Sequence, residues 1–231
     1  MRKTFLIVLT QLLLLPATAL CCKDQVSVEK LSSVRPDAFP NDSVMLDYIQ
    51  MAHLNYMWDG AEPNSGLAPE RIHLDGVYPE NDAHIVTTGG SGFGVAGLLV
   101  GIDRGFISRK EGVKRLQRVV DFLSKADRYH GVWGHWIDGR TGKTKPFGPK
   151  DDGGDLVESS FLMASLLCVR QYFALGNSEE QRLAADIDKL WRDMEFDWYR
   201  NDNKDVLYWH WSPRHGWEMN FPLEGYNECL I

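Results

Sequence analysis

The sequence predicts an all-α fold in which helices follow one another as a ring of helical hairpins. Segments with apolar residues spaced by three and four recur along the chain, which is the periodicity of helices with one buried face. Their connections alternate between short turns and long loops that hold many of the Trp, His and carboxylate residues. The Trp-Gly-His-Trp segment at 133–136 is echoed by Trp-His-Trp at 209–211, which suggests an internal repeat. Loops of one parity emerge on one face of such a ring, so we expect these side chains to share a face.

Six helices are predicted, over residues 42–57, 91–104, 108–126, 155–174, 178–199 and from about 225 onward. Polar residues at 41–43 are expected to cap the first helix. The second helix is apolar on nearly every side, which predicts that it is buried. Capping boxes begin the third helix, at Ser108 and Glu111, and the fifth, at Ser178 and Gln181.

Three long segments separate these helices. Residues 58–90 are rich in Gly, Pro, Asp and Asn and are longer than most connections, and such loops tend to be functional. Residues 130–150 are predicted to form a short hairpin or loop. Residues 206–217 are predicted to form another hairpin, with a turn at 213–216.

The chain begins with the features of a secretory signal peptide, namely a basic start, an apolar run and small residues near a cleavage site. Cleavage after Ala19 would release a soluble protein, whereas lipidation of Cys21 or Cys22 would give an anchored lipoprotein. We favour the lipoprotein, because a cysteine there has no other obvious use in an exported chain. The expected division is signal peptide 1–21, linker 22–41 and functional domain 42–231. The predicted location is the periplasm or the outer membrane.

Composition excludes several classes of partner. Without two basic residues of the signal peptide, 23 basic residues oppose 32 acidic ones, a net charge of about −9. Such a surface repels polyanions, so nucleic acid and anionic lipid headgroups are not expected as partners, and membrane contact is expected only through the lipid anchor. Cys168 and Cys229 are too few for a disulfide framework. Cys168 lies in an apolar helical segment and is predicted to be a buried thiol.

Three carboxylates form the strongest candidate site. If a helix begins near residue 151, Asp151, Asp155 and Glu158 lie at i, i+4 and i+7 and share one face. Repulsion among them would raise their proton affinity and leave one carboxyl protonated at neutral pH, as the acid of glycoside hydrolysis requires. Alternatively, the acids cap a helix N-terminus and favour its dipole. That alternative explains Glu158 poorly, because Glu158 lies beyond the first turn and beside an apolar run.

Two further segments combine carboxylates with aromatic residues and amides, the residue types that a sugar site needs. In the loop 58–67, the candidate substrate-binding residues are Trp58, Asp59 and Glu62. The junction at 221–228 adds Glu224 and Glu228. Turns and helix caps have a similar composition, so either segment alone is also explained by ordinary structure.

The two Trp- and His-rich segments are candidates for contact with a saccharide. An apolar pyranose face packs on an indole ring, and an imidazole hydrogen-bonds to hydroxyl groups. The chain has eight Trp and eight Tyr, many for its length, although aromatic residues suit a core equally. The candidate residues in these two segments are Trp133, His135, Trp136, Trp209 and Trp211.

No cofactor and no metal are predicted. Residues 92–97 fit G-x-G-x-x-G, but the segments that follow are helical and lack the second strand of a dinucleotide-binding unit. Close packing of helices through small residues is therefore the favoured interpretation. The seven His are scattered, without an H-E-x-x-H motif or a Cys/His cluster. A G-x-S-x-G nucleophile motif is also absent from the sequence.

Four ordered motifs resemble the bacterial glycoamylase-like family, which includes endo-β-1,2-glucanases. They are Trp-Asp-Gly-Ala-Glu-Pro-Asn-Ser-Gly-Leu at 58–67, Thr-Gly-Gly-Ser-Gly-Phe-Gly at 88–94, Asp-Asp-Gly-Gly-Asp-Leu-Val-Glu at 151–158 and Glu-Gly-Tyr-Asn-Glu at 224–228. The resemblance covers about 42–231. It implies an (α/α)6 barrel that hydrolyses β-1,2-glucan with inversion and without a metal.

By motif, the resemblance also implies which residues form the active site. The acids implied are Asp151, Asp155, Glu158 and Glu228. Trp and Tyr side chains line the family's cleft, and in the last motif we expect Tyr226 and Asn227 to contact the substrate. Glu158 is the expected catalytic acid, with Asp151 and Asp155 tuning it or binding sugar hydroxyls, and Glu228 is the second essential carboxylate.

The family's domain closes a ring of twelve helices, about twice the number predicted here. We therefore expect this chain to hold only the first half of the ring, with an exposed apolar face that favours self-association. Two alternatives to a β-1,2-glucan hydrolase are a non-catalytic glycan-binding lipoprotein and another carbohydrate enzyme on the same barrel, such as an α-glucosidase or glucoamylase, a lyase or an epimerase. A structural all-α lipoprotein is a third.

Overall fold

The computed structural model describes residues 39–79 and 81–231, and its main elements are helices. The helices are α1 (Asp42–Trp58), α2 (Thr88–Asp103), α3 (Arg109–Leu123), α4 (Leu156–Phe173) and α5 (Ser178–Arg192). A mostly helical fold is therefore confirmed. The predicted signal peptide, the two cysteines at its end and most of the predicted linker lie outside the described residues. Within the described part of the chain, no helix is long and apolar enough to cross a membrane.

Local capping chemistry sets where the helices begin. The side chain of Asn41 accepts a hydrogen bond from the Val44 amide at the start of α1, as one of the predicted caps. Ser108 caps α3 in the predicted way. The cap of α5 is Asn177 and not the predicted Ser178, because the Asn177 side-chain oxygen reaches two amides and Glu180 completes a capping box.

Helices α2 and α4 pack closely, and glycine makes this possible. A Cβ atom at Gly92 would lie 2.6 Å from the carbonyl oxygen of Phe161, so no larger residue fits at this crossing. The G-x-G-x-x-G segment thus serves helix packing, as predicted. The prediction that α2 is buried on every side was wrong, because Phe93 and Val100 on this helix are exposed. The core lies between α2, α3, α4 and α5.

Seven short strands lie in the connections. They are β1 (Ile85–Thr87), β2 (Arg128–Tyr129), β3 (Val132–Trp133), β4 (Trp136–Asp138), β5 (Thr144–Lys145), β6 (Gly154–Asp155) and β7 (His210–Trp211). Strands β1, β4 and β5 form one antiparallel sheet, in which β4 and β5 form the hairpin predicted within 130–150, and β2 pairs separately with β3. Strand β7 pairs with β6, which precedes α4. This last pairing brings the loop near residue 210 to the start of α4.

Three of the predicted elements differ from the structure. The hairpin predicted at 206–217 forms only its turn, where Ser212 and Gly216 exchange backbone hydrogen bonds, while β7 pairs elsewhere. The fifth helix ends at Arg192, and a 3-10 helix follows at Trp198–Arg200. The sixth helix is absent from residues 225–231 of the described chain, because Gly225 has φ +76° and the next residues form a side-chain-supported turn.

Candidate active site

The site is centred on Asp155, a fully buried carboxylate that caps α4. Its Oδ1 accepts the amide N–H of Glu158 at 2.9 Å, which is the N-cap bond, and the indole N–H of Trp209 at 2.8 Å. Its Oδ2 lies 3.0 Å from Nδ1 of His135. A buried carboxylate is tolerated when donors surround it in this way. Asp155 thus joins the start of α4 to two distant segments.

His135 lies between β3 and β4 and contacts the acids through one ring nitrogen. Its Nδ1 is 3.0 Å from Asp155 and 3.8 Å from Asp151, and its ring stacks on Phe147 at 4.0 Å between centroids. Burial opposes the charged imidazole, but the hydrogen bond and charge of Asp155, with the neighbouring acids, outweigh it and raise the pKa of His135. A protonated His135 would balance part of the negative charge of the site.

Glu158 lies in the first turn of α4, and its carboxylate faces the N-terminus of α2. Its Oε2 accepts the amide N–H of Gly89 at 2.8 Å, a position that also favours negative charge through the helix dipole. Burial and then the charge of Asp155 raise the pKa of Glu158, while His135 and the Gly89 amide act in the opposite direction. The net effect is a raised pKa, the direction expected of a proton donor.

Asp151 joins the cluster from the loop before α4 and not from the helix. The helix begins at Leu156, so the spacing predicted from residue 151 does not place these acids on one helical face. The loop instead brings Asp151 near His135. Asp151 is buried, and its Oδ1 lies 3.2 Å from Nε2 of His210. The predicted convergence is therefore observed, through loop geometry.

Sequence reasoning missed two neighbours of this cluster. His210 is 2 % exposed, and its Nε2 accepts the amide N–H of Gly153 at 3.2 Å. Asp152 accepts hydrogen bonds from the Ser212 hydroxyl and from Arg214. Burial opposes ionisation of Asp152, but these hydrogen bonds together with the charge of Arg214 lower its pKa. The His between two Trp at 209–211 was the available signal for His210.

The predicted aromatic residues occupy different environments. Trp209 contacts Asp155 directly, and Trp136 packs against Phe147 with a buried indole N–H that has no hydrogen-bond partner in the described residues. Trp211 is partly buried beside Trp198. Trp133 is fully buried and donates to the backbone of α3, so it has no surface from which to contact a saccharide.

The loop 58–67 is organised by its own side chains. Glu62 is buried, and its two carboxylate oxygens accept hydrogen bonds from Asn64 and Ser65. The observed contacts of Glu62 therefore stabilise the loop, and its predicted contact with substrate stays a prediction. The ring of Trp58 lies under the Arg115 guanidinium at 4.4 Å. Asp59 is exposed.

The last predicted motif lies on an irregular segment. Tyr226 is 96 % exposed, and Asn227 is occupied in a local turn, where its side chain accepts the amide N–H of Cys229. Glu228 makes no hydrogen bond or ion pair to another described residue. Its role as the second carboxylate stays a prediction. Cys229 is buried, whereas Cys168 is exposed, so the predicted burial of the Cys168 thiol was wrong.

The same cluster contains the atoms best placed to hold a metal. Ligand atoms of His135, Asp151 and Asp155 lie within 4.8 Å of one another. The hydrogen bond between His135 and Asp155 explains this arrangement without an ion. The absence of a metal or cofactor from the function stays a prediction.

Known proteins similar to this chain include three whose names concern β-1,2-linked glucans. No family model matches the chain. An exo β-1,2-glucooligosaccharide sophorohydrolase of Parabacteroides distasonis is 50 % identical over 192 residues, which are 82 % of this chain and 26 % of that protein. The endo-β-1,2-glucanase structure from Chitinophaga pinensis, in complex with sophorotriose and glucose, is 62 % identical with a TM-score of 0.78, over 81 % of this chain and 45 % of that one.

A β-1,2-glucanase structure from Parabacteroides distasonis is 48 % identical, with a TM-score of 0.75, over 81 % of this chain and 26 % of that one. The chain thus spans between a quarter and a half of the length of these relatives. Identities of this size over most of the chain, together with a shared fold, establish homology. The chain is therefore homologous, over less than half of their length, to bacterial proteins named as β-1,2-glucanases and as a β-1,2-glucooligosaccharide sophorohydrolase, in agreement with the resemblance of its motifs.

Proposed function

We propose that this chain is part of a glycoside hydrolase that cleaves β-1,2-glucan, most readily within the polymer and with inversion. The observation that carries the proposal is the environment of Glu158. This carboxyl is partly buried beside the ionisable Asp155, and its pKa is raised, so it is suited to hold a proton for the leaving oxygen. The names of the three relatives indicate the substrate.

In this proposal Glu158 donates the proton, and its neighbours prepare it. Asp155 is fixed by Trp209 and His135 and keeps the local charge negative, which favours the protonated form of Glu158. Asp151 is buried with its Oδ1 3.2 Å from Nε2 of His210, and its negative charge favours the protonated form of His135. Glu228 is the proposed second carboxylate, which would activate the attacking water.

The proposal extends to the architecture and location of the protein. We propose that the five helices form part of an (α/α)6 barrel, because the relatives are at least twice as long as the matched region. A secreted form with an N-terminal lipid anchor would place the site where extracellular glucan is available. The side chains proposed to contact the substrate are those predicted from the sequence, except Trp133, which is buried.

Product analysis tests the proposal. The chain is mixed with linear β-1,2-glucan, with starch and β-1,3-glucan beside it, and binding of sophorotriose is measured by calorimetry. We expect short β-1,2-linked products from the first substrate only, and loss of product with retained binding in Glu158→Gln. Glu111→Gln, at an exposed position in the first turn of α3, is the matched control. Products from starch instead, or turnover of β-1,2-glucan that Glu158→Gln leaves unchanged, would contradict the proposal.

A further inference from the structure

A groove between α3 and the start of α5 lies outside the carboxylate cluster. Its volume is about 720 Å³, within the usual range of small-molecule sites. The turn at 140–142 and the loop at Asn64 close its sides. None of the residues that line it belongs to the proposed active site, so a ligand here would have a separate function.

The groove has a charge opposite to that of the chain. Six basic and two acidic side chains line it, whereas the whole sequence has a net charge of −7. The basic residues are Lys110, Lys114, Arg118, Lys125, Arg140 and Arg182. A concave positive region on an acidic protein focuses its field on anions. The net charge predicts that anions are repelled by the chain as a whole, and this prediction does not apply to the groove.

The three lysines are available to a ligand, whereas two of the three arginines already have close polar partners. Arg140 forms an ion pair with Asp138 at 2.8 Å, and Arg118 donates to the carbonyl oxygen of Pro63. By contrast, Lys110, Lys114 and Lys125 are exposed and form no ion pair or hydrogen bond through their side chains with any residue in the described ranges. Their ammonium groups are therefore free.

The spacing of these charges is regular, and the floor beneath them is apolar. Lys110, Lys114 and Arg118 lie at i, i+4 and i+8 on α3, so consecutive charges are about 6 Å apart along the helix axis. Val113 and Phe122 contribute apolar surface to the same groove. This arrangement fits a ligand that carries more than one anionic group on a carbon framework.

We propose that this basic groove binds a phosphate-bearing organic anion. Three of the groove's cations are unpaired lysines, whose ammonium groups contact a phosphate as compact point charges. A phosphate monoester carries a charge of about −1.5 to −2 near neutral pH, more than a single carboxylate, so it gains more from these lysines. Such a phosphate belongs either to a soluble phosphate ester or to a phosphorylated lipid headgroup. The two sources share the same chemistry and differ in whether binding requires a membrane surface.

Pyrophosphate binding tests the inference directly and does not depend on catalysis. The chain is titrated with pyrophosphate by calorimetry at low salt, beside the double variants K110E/K114E in the groove and K150E/K204E as a control with the same change in charge. We expect one site per chain, with affinity reduced about 10-fold or more in the groove variant and less than about 2-fold in the control, because only the groove charges lie next to the ligand. Unchanged circular dichroism and urea midpoints establish that both variants fold.

A second arm distinguishes the sources of phosphate. Vesicles with and without phosphatidylglycerol are tested for co-sedimentation with the same three proteins. Groove-dependent binding to the anionic vesicles supports a headgroup, and groove-dependent binding of pyrophosphate alone supports a soluble ester. Equal affinity for citrate overturns the phosphate assignment. Failure of both probes to bind, or an equal loss in the control variant, overturns the site.

Discussion

Replacing Gly89 with alanine should make the stability of the protein more strongly dependent on pH through Glu158. A Cβ atom at position 89 would lie 2.5 Å from Oε2 of Glu158, whereas ordinary contacts begin at 3.4 Å. The carboxylate must therefore withdraw by about 0.9 Å, the difference between these distances. The hydrogen bond from the Gly89 amide, 2.8 Å long, would then lengthen to about 3.7 Å and be lost.

The cost depends on the protonation state of Glu158. Loss of a hydrogen bond to a charged group costs about 1.5–3 kcal/mol, and the same loss raises the pKa of Glu158 further. Replacing a helical glycine with alanine offsets about 0.5–1 kcal/mol of this. We therefore expect Gly89→Ala to be roughly 0.5–2.5 kcal/mol less stable than the parent at about pH 8.

The sign with pH follows from the direction of the pKa shift. A raised pKa in the folded state contributes stability at low pH that is lost as pH rises through the folded pKa. The variant raises this pKa further, so its deficit should open as pH rises through the folded pKa and close below the unfolded pKa of a glutamate, about 4.3. Urea unfolding at several pH values measures the deficit.

Gly97→Ala is the control, since nothing lies within 4 Å of a Cβ atom at that position of the same helix. It should be more stable than the parent by about 0.5–1 kcal/mol at every pH. A deficit in Gly89→Ala that is the same at every pH would show that Glu158 is not the group affected. The assignment of the Gly89 hydrogen bond as a determinant of the Glu158 pKa would then be wrong.

Three further outcomes follow from contacts described above. Gly92→Ala should lower the free energy of unfolding by about 1–3 kcal/mol without a change of m-value, because its Cβ meets the rigid backbone of α4. Arg214→Met should destabilise the protein by about 1 kcal/mol at neutral pH. Urea titrations should show this difference vanish in acid, because a carboxyl with a lowered pKa such as Asp152 contributes stability only while it is ionised. Cys168 should react with a thiol reagent in the folded protein. Cys229, whose burial raises its pKa to about 11, should react only after unfolding in urea. Equal reaction rates for the two thiols in the folded protein would contradict the assigned exposures.

Features that depend on neighbouring residues could be predicted from the sequence. The starts of α1 and α3 follow from a polar side chain that reaches amides two or three residues further on, so short-range chemistry is sufficient. The same reasoning failed at residue 225. There Gly225 adopts a positive φ and Asn227 supports a turn, and this alternative use of the backbone competes with a helix.

The site could be predicted only in part, because its geometry depends on distant pairings. Asp151, Asp155 and Glu158 were identified by composition and spacing, but the helical face that was expected to join them does not exist. Strand pairing between β6 and β7 brings His210 to Asp151, and nothing in the local sequence near residue 210 specifies that partner. The raised pKa of Glu158 was expected from repulsion, whereas burial is its largest cause.

The docking of β7 onto β6 has a consequence for the order of folding. Trp209 donates to Asp155 across 54 positions of sequence, and Ser212 donates to Asp152 across 60. Closing loops of this length costs entropy before any contact is formed, and the hydrogen bond from Gly89 to Glu158, across 69 positions, has a similar cost. Until β7 docks, Asp155 and Asp152 lack the donors that Trp209 and Ser212 supply, so the carboxylate oxygens concerned stay hydrated. The active-site geometry should therefore mature only when these distant contacts close, and not with the local formation of α4.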